Sequence, residues 1–209
     1  MEAAGAKKTQ QKVAVLSVHH IAAQTGCATE GILSVAAFSL RAVEVDYARK
    51  RLRVLDRAEL KIGDGAAAIP IAVKDGVPYA PVEIPLANGP VISGRFLIDS
   101  GWSGAILFSS PFLREHPELL EGERKDLAPV DVVGGKMATK FGRIPSFRLG
   151  PFTFKEPMAV FTINGAGILN TPGVGGLIGA ALLKRFHVIY DYAAQRMLLT
   201  TGSSLNDPL

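Results

Sequence analysis

The stretch GRFLIDSGWSGAILFSS, residues 94–110, sets one carboxylate, Asp99, between two apolar runs and follows it with Ser100, Gly101 and Trp102. Phe-Leu-Ile before the acid and Ala-Ile-Leu-Phe after it have the unbroken apolar character of strands buried on both faces. The acid falls where a strand ends and a glycine turn begins. An Asx-turn capping the strand would by itself explain an acid there, so the rest of the chain decides what the turn is for.

On either side the chain is a succession of short β-type runs: VAVLSV, AVEVDY, KRLRVL, PYAPVEIPL, DVVGGKMATKFGRI, FTFKEPMAVF and FHVIYDY. They are rich in Val, Ile, Phe and Tyr and are separated by Gly, Pro, Asn or Asp, which predicts an all-β protein. Helical periodicity is confined to IGAALLKRF (178–186), a weaker copy in VAAFSLR, and SPFLREHPELLEG, where Ser followed by Pro suits a helix start. The pair Gly134-Gly135 predicts a hairpin turn.

Composition narrows the class. With 209 residues, 48% hydrophobic and 20% charged, the chain can bury one good core or two small ones. The net charge of +4 comes from scattered Lys and Arg that alternate with apolar residues in YARKRLRVLDR, as on a strand with one solvated face, so no nucleic-acid partner is expected. VAVLSV is too short for a signal-peptide core or a membrane span, so no membrane association is expected and the chain as given defaults to the cytoplasm. The single Cys27 excludes an internal disulfide framework and a Cys-based zinc cluster. His19 and His20 would point to opposite faces of a strand, and His116 and His187 have no partners at ligand spacing, so neither metal nor cofactor is expected. Ser103, Ser109 and Ser110 lack a recognisable His partner, which argues against serine hydrolysis.

An internal repeat organises the chain. GILSVAAFSLRAVEVDYARKRLRV (31–54) lies over GLIGAALLKRFHVIYDYAAQRMLL (176–199) without a gap, at a constant offset of 145 residues. The identities are Gly31/Gly176, Ala36/Ala181, Val43/Val188, Asp46/Asp191, Tyr47/Tyr192, Ala48/Ala193 and Arg51/Arg196. The copied Asp46 and Asp191 read as turn or strand-end carboxylates. The chain holds two copies of one ending but a single copy of what precedes it.

The order FLIDSG, glycine-turn hairpin, GLIGAALLKRFHVIYDY resembles the retropepsin-like aspartic proteases, in particular the tandem-lobe bacterial aspartyl-protease family. The resemblance implies a closed β-barrel lobe with a flap hairpin and one short helix near the C-terminus. It divides the chain into the end of a first lobe (1–56), a connector (57–68), a complete lobe (69–201), and a tail or the start of a linker (202–209). It implies truncation at the N-terminus, and export if the natural start lies further upstream. Asp99 would be the catalytic acid/base, Ser100 would hydrogen-bond across the lobe interface, and Gly101 would let the loop approach its symmetry mate. Trp102, which stands where the family has a small residue, would bind substrate together with Gly134 and Gly135 of the 130–143 flap. Gly176, Leu177, Ile178 and Gly179 would support the catalytic loop.

The chemistry of such a site needs two acids. Two carboxylates about 3 Å apart share one proton, so one serves as base on a water while the other donates to the scissile carbonyl. The resemblance therefore implies a polypeptide substrate and a second acid from a homodimer or a missing N-terminal lobe. The alternative is a catalytically inactive lobe that binds a peptide or a partner.

Overall fold

A computed structural model describes residues 2–3, 6–7, 28–38, 41–132 and 135–209. The expectations for VAVLSV, His19, His20, Cys27 and Gly134 lie outside the described residues. Nearly all regular structure is β. Short strands β1 (Glu2–Ala3) and β2 (Ala6–Lys7) pair with each other, and the remaining strands form a ten-stranded and a five-stranded sheet.

In the order of the ten-stranded sheet the strands are β10 (Lys125–Val132), β11 (Gly135–Arg143), β14 (Met158–Asn164), β9 (Ile106–Phe108), β15 (Gly176–Gly179), β8 (Val91–Asp99), β7 (Val77–Pro85), β12 (Ser146–Leu149) and β13 (Phe152–Lys155), with β6 (Ala72–Lys74) beside β7. Alternation along β8 sends Ile92, Phe96 and Ile98 into the main core, and Leu97 to the opposite face. Phe96 is fully buried, with its ring edge-on to Phe108, Phe112 and Phe147 at centroid distances of 5.7, 5.8 and 5.6 Å. These edge-to-face contacts suit the ring quadrupoles and fix the registry of the central strands.

The five-stranded sheet runs β4 (Arg51–Leu55), β3 (Ala42–Asp46), β16 (Phe186–Asp191), β17 (Arg196–Thr201) and β5 (Ala67–Pro70). Its two hairpins have the same register once 145 is added to the first: Ala42 faces Leu55 in one and His187 faces Thr200 in the other. Each ends in the same turn. Asp46 accepts from the Arg49 amide at 3.0 Å and Asp191 from the Ala194 amide at 3.2 Å, and the turn closes with a left-handed residue, Lys50 at φ 52° and Gln195 at φ 51°. The hairpins meet antiparallel through β3 and β16, with Glu44 opposite Ile189, Asp46 opposite His187 and Ala42 opposite Asp191. The last two pairs exchange under the offset, so a local pseudo-twofold axis passes between Glu44 and Ile189.

Two details differ from expectation. The ten-stranded sheet is open: its order ends at β10 and β13, which are not paired with each other, so the closed barrel does not describe it. The resemblance implied one short helix, near the C-terminus, whereas among the described residues three form: α1 (Val35–Phe38) and α2 (Ser110–Glu115), where the sequence itself showed helical periodicity, and α3 (Ala180–Leu183). Helix α2 starts because the Ser109 hydroxyl accepts from the Phe112 amide and Pro111 is already set in a helical φ.

Residues 202–209 fold back on the lobe. Arg185, 4% exposed, donates to the carbonyls of Ser204, Asp207 and Pro208 at 2.7, 2.6 and 2.8 Å, and Leu205 and Leu209 pack on the main core. Burial lowers the Arg185 pKa below the usual arginine value, a cost that the converging carbonyls offset.

Candidate active site

Strand β8 delivers Asp99 to its own C-terminal end, where Gly179 of β15 lies directly beside it across a parallel pairing. The chain then turns. The Gly101 amide donates to the Asp99 carboxylate at 2.9 Å and the Trp102 amide donates to the Asp99 carbonyl at 3.3 Å, an Asx-turn combined with a β-turn. These are the interactions that a capping acid alone would make, so local bonding does not set this loop apart. What lies around it does.

The loop is held from behind by the GLIG strand. Gly179, Ala180 and Ala181 donate their amides to the carbonyls of Ala105, Trp102 and Gly104 at 2.9, 2.8 and 3.1 Å. A side chain at Gly179 would run into the Gly104 carbonyl and the Trp102 ring, and one at Gly176 would run into the Leu107 carbonyl. Glycine at these positions lets three backbones approach closely enough to hold the acid. Leu177 and Ile178 face opposite sides, Ile178 in the main core and Leu177 in a smaller cluster.

Asp99 is largely withdrawn from water, and that burial pushes its carboxyl above the usual carboxylate range, opposed by the Gly101 and Trp102 amides. Among the described residues no Arg, Lys or His forms an ion pair with it. Ser100 and Gly101 beside it are exposed.

Trp102 folds back onto its own lobe, its ring against Gly104 and Gly179. It joins Tyr79, Leu97, Leu107, Met137, Leu169, Val174 and Leu177 in an apolar platform on the face of the sheet opposite the main core. Met137 is on β11, two residues beyond Gly135, so the 130–143 hairpin packs into the same cluster as Trp102 near its turn end. Strands β10 and β11 pair from Val132↔Gly135 onward. The platform was missing from the sequence reading of the site, although the unbroken runs FLI, ILF and LI, which leave no polar face, were its signal.

Tyr190 on β16 is buried, and its hydroxyl has no hydrogen-bond partner among the described residues. Burial raises its pKa, with Tyr47, Tyr192 and Asp99 adding smaller electrostatic contributions. Nothing in its sequence neighbourhood marked it. The two surface grooves between residues 86–90, 118–125 and 141–145 include no residue of the Asp99 loop. Among the described residues no helix is long and apolar enough to cross a membrane.

No protein-family profile matches the chain, and no curated protein matches it. Similar solved structures include a retropepsin-like aspartic protease from Rickettsia conorii, at 18% identity and a TM-score of 0.42, over 65% of this chain and 89% of that one. They also include an aspartic proteinase from Irpex lacteus, at 16% identity and a TM-score of 0.42, over 80% of this chain and 57% of that one.

Proposed function

We propose that the chain carries one half of an aspartic-peptidase-type site, in which Asp99 and a second carboxylate activate water for hydrolysis of a peptide bond. The observation that carries this reading is Asp99 itself: a half-buried acid with no ion-pair partner among the described residues, at the end of a core strand, beside β15 at a position where only glycine fits, and bordered by an exposed Ser100-Gly101 turn. A capping acid has no use for a raised pKa or for a strand threaded beside it; a proton-sharing acid needs both. In this reading residues 69–201 are one lobe, 1–56 the end of another, 57–68 their connector and 202–209 a docked tail. Trp102, Gly134, Gly135 and the 130–143 hairpin border the substrate. The buried cluster of Tyr79, Leu97 and Met137 supports Trp102 and the hairpin from beneath.

The sequence holds one Asp-Ser-Gly and no Asp-Thr-Gly, which favours a second reading, in which the lobe binds a peptide or a partner without cleaving it. Activity of the whole protein on a mixed peptide library at mildly acidic pH separates the two. Cleavage that statine-type compounds block and Asp99→Asn abolishes supports hydrolysis; an Asn variant that cleaves at the parent rate overturns it.

A further inference from the structure

Residues 202–209 belong to no strand, and five of the eight are exposed, so the segment is held at a few points only. At one end the Gly202 amide donates to the Arg185 carbonyl at 2.7 Å. The Arg185 guanidinium in turn donates to the carbonyls of Ser204, Leu205, Asp207 and Pro208 at 2.7, 3.3, 2.6 and 2.8 Å. At the other end the Leu209 carbonyl accepts from the Met158 amide at 3.2 Å and from the Arg143 guanidinium at 3.4 Å.

Each of these clips sits on an element that borders the Asp99 loop or the hairpin. Arg185 follows α3, whose first two amides, Ala180 and Ala181, donate to the Trp102 and Gly104 carbonyls just beyond Asp99. Arg143 is the last residue of β11 and the register partner of Met158, the first residue of β14, so this pair forms the foot of the 130–143 hairpin. The segment therefore spans from the seat of the acid to the foot of the hairpin, two places that share no sequence neighbourhood.

The clips are of a kind that can open. Arg185 is buried, yet it bonds only neutral carbonyls and forms no ion pair among the described residues; the Asp207 charge acts on it at longer range. When the segment lifts, guanidinium and carbonyls regain water, and the main loss is the packing of Leu205 and Leu209 on the core. A segment fastened by so few contacts opens at a free energy well below that of global unfolding. Because both clips hold one short segment, each keeps the partners of the other close at hand, and that assistance is reciprocal.

We infer that residues 202–209 are a strap that couples the foot of the 130–143 hairpin to the seat of Asp99, so that loosening either end loosens the other. The bearing of the strap on hydrolysis rests on the two-carboxylate reading, but the coupling itself does not.

Hydrogen exchange of the full chain, with one lesion at each end, tests this. Arg185→Lys keeps a cation but loses the fork that serves several carbonyls at once, and should speed exchange of the Met158 amide, at the far end, about fivefold. Arg143→Ala, on the exposed foot of the hairpin, should speed exchange of the Gly202, Ala180 and Ala181 amides by about the same factor. The amides of Ile189 and Leu198 in the five-stranded sheet should not change, which separates coupling from general destabilisation. In a chain lacking residues 204–209, Arg143→Ala should no longer affect Ala180 and Ala181; this comparison decides the matter even if Arg185→Lys does not fold. Acceleration confined to the end that carries the lesion, equal acceleration at Ile189 and Leu198, or an Arg143→Ala effect that survives removal of 204–209 overturns the strap. None of these readouts needs cleavage, so coupling without peptidase activity leaves the strap standing and refutes the hydrolytic reading alone.

Discussion

Replacing Asp99 by Asn should stabilise the protein at neutral pH. Burial is the largest influence on this carboxyl and raises its pKa, with the Gly101 and Trp102 amides acting the other way. A carboxyl whose folded pKa lies above its unfolded value binds its proton more tightly when folded. Its favourable contribution is complete below the unfolded pKa and is lost as pH rises through the folded one. Asn keeps an oxygen for the Gly101 amide, now 2.9 Å from the carboxylate, and carries no charge to desolvate. A buried group short of partners costs on the order of 1–3 kcal/mol, and one retained N–H puts Asp99 at the lower end, about 1 kcal/mol. With a urea slope of about 2 kcal/mol per molar, the unfolding midpoint should rise by about 0.5 M at pH 7. The advantage should shrink towards zero near pH 3, where the aspartate is protonated in both states. Urea unfolding of both proteins from pH 3 to 8 reads the difference. An Asn variant less stable than the parent at pH 7, or a gain independent of pH, would show that the bond from Gly101 outweighs burial and would remove the physical basis for a proton-sharing acid.

Two further outcomes follow from the packing. Gly179→Val should cost about 2–3 kcal/mol in urea unfolding, because the new side chain meets the Gly104 carbonyl and the Trp102 ring; combined with Trp102→Ala the losses should be less than additive, and simple additivity would refute the contact. Arg185→Met should cost about 2–3 kcal/mol by stranding the carbonyls of Ser204, Asp207 and Pro208. Removing residues 204–209 should then cost less in that background than in the parent, and an equal cost would show that the guanidinium does not hold the tail.

The strands were legible where local rules suffice. FLID read as a buried strand because no polar face interrupts it, and Asp99 read as a strand end because Ser-Gly follows it, whereas Ile178 and Gly179 read as the start of a helix and belong to β15. The common ending of the two copies was visible in Asp-Tyr-Ala. What was not legible is non-local. Nothing in GLIG says that it pairs parallel with β8 on one side and antiparallel with β9 on the other. The open edges of the large sheet depend on which strands fail to meet, and turn signals carry no information about that. The direction of the Trp102 ring was not legible, because it follows from Gly104 and Gly179, one of them far along the chain. The tail read as linker because its anchor, Arg185, is a charged residue that ordinary patterning places in water.

The threading of β15 between β8 and β9 also sets a timetable. Asp99 and its turn are made long before Gly176–Gly179, and β8 has no neighbour on its β15 side until that strand arrives. A chain emerging from the ribosome at roughly 5–20 residues per second carries the acid in water for several seconds before its seat exists. Pairings this distant in sequence are slow to form. The seat of the half-buried acid is therefore assembled late, and a growing chain cannot possess it early.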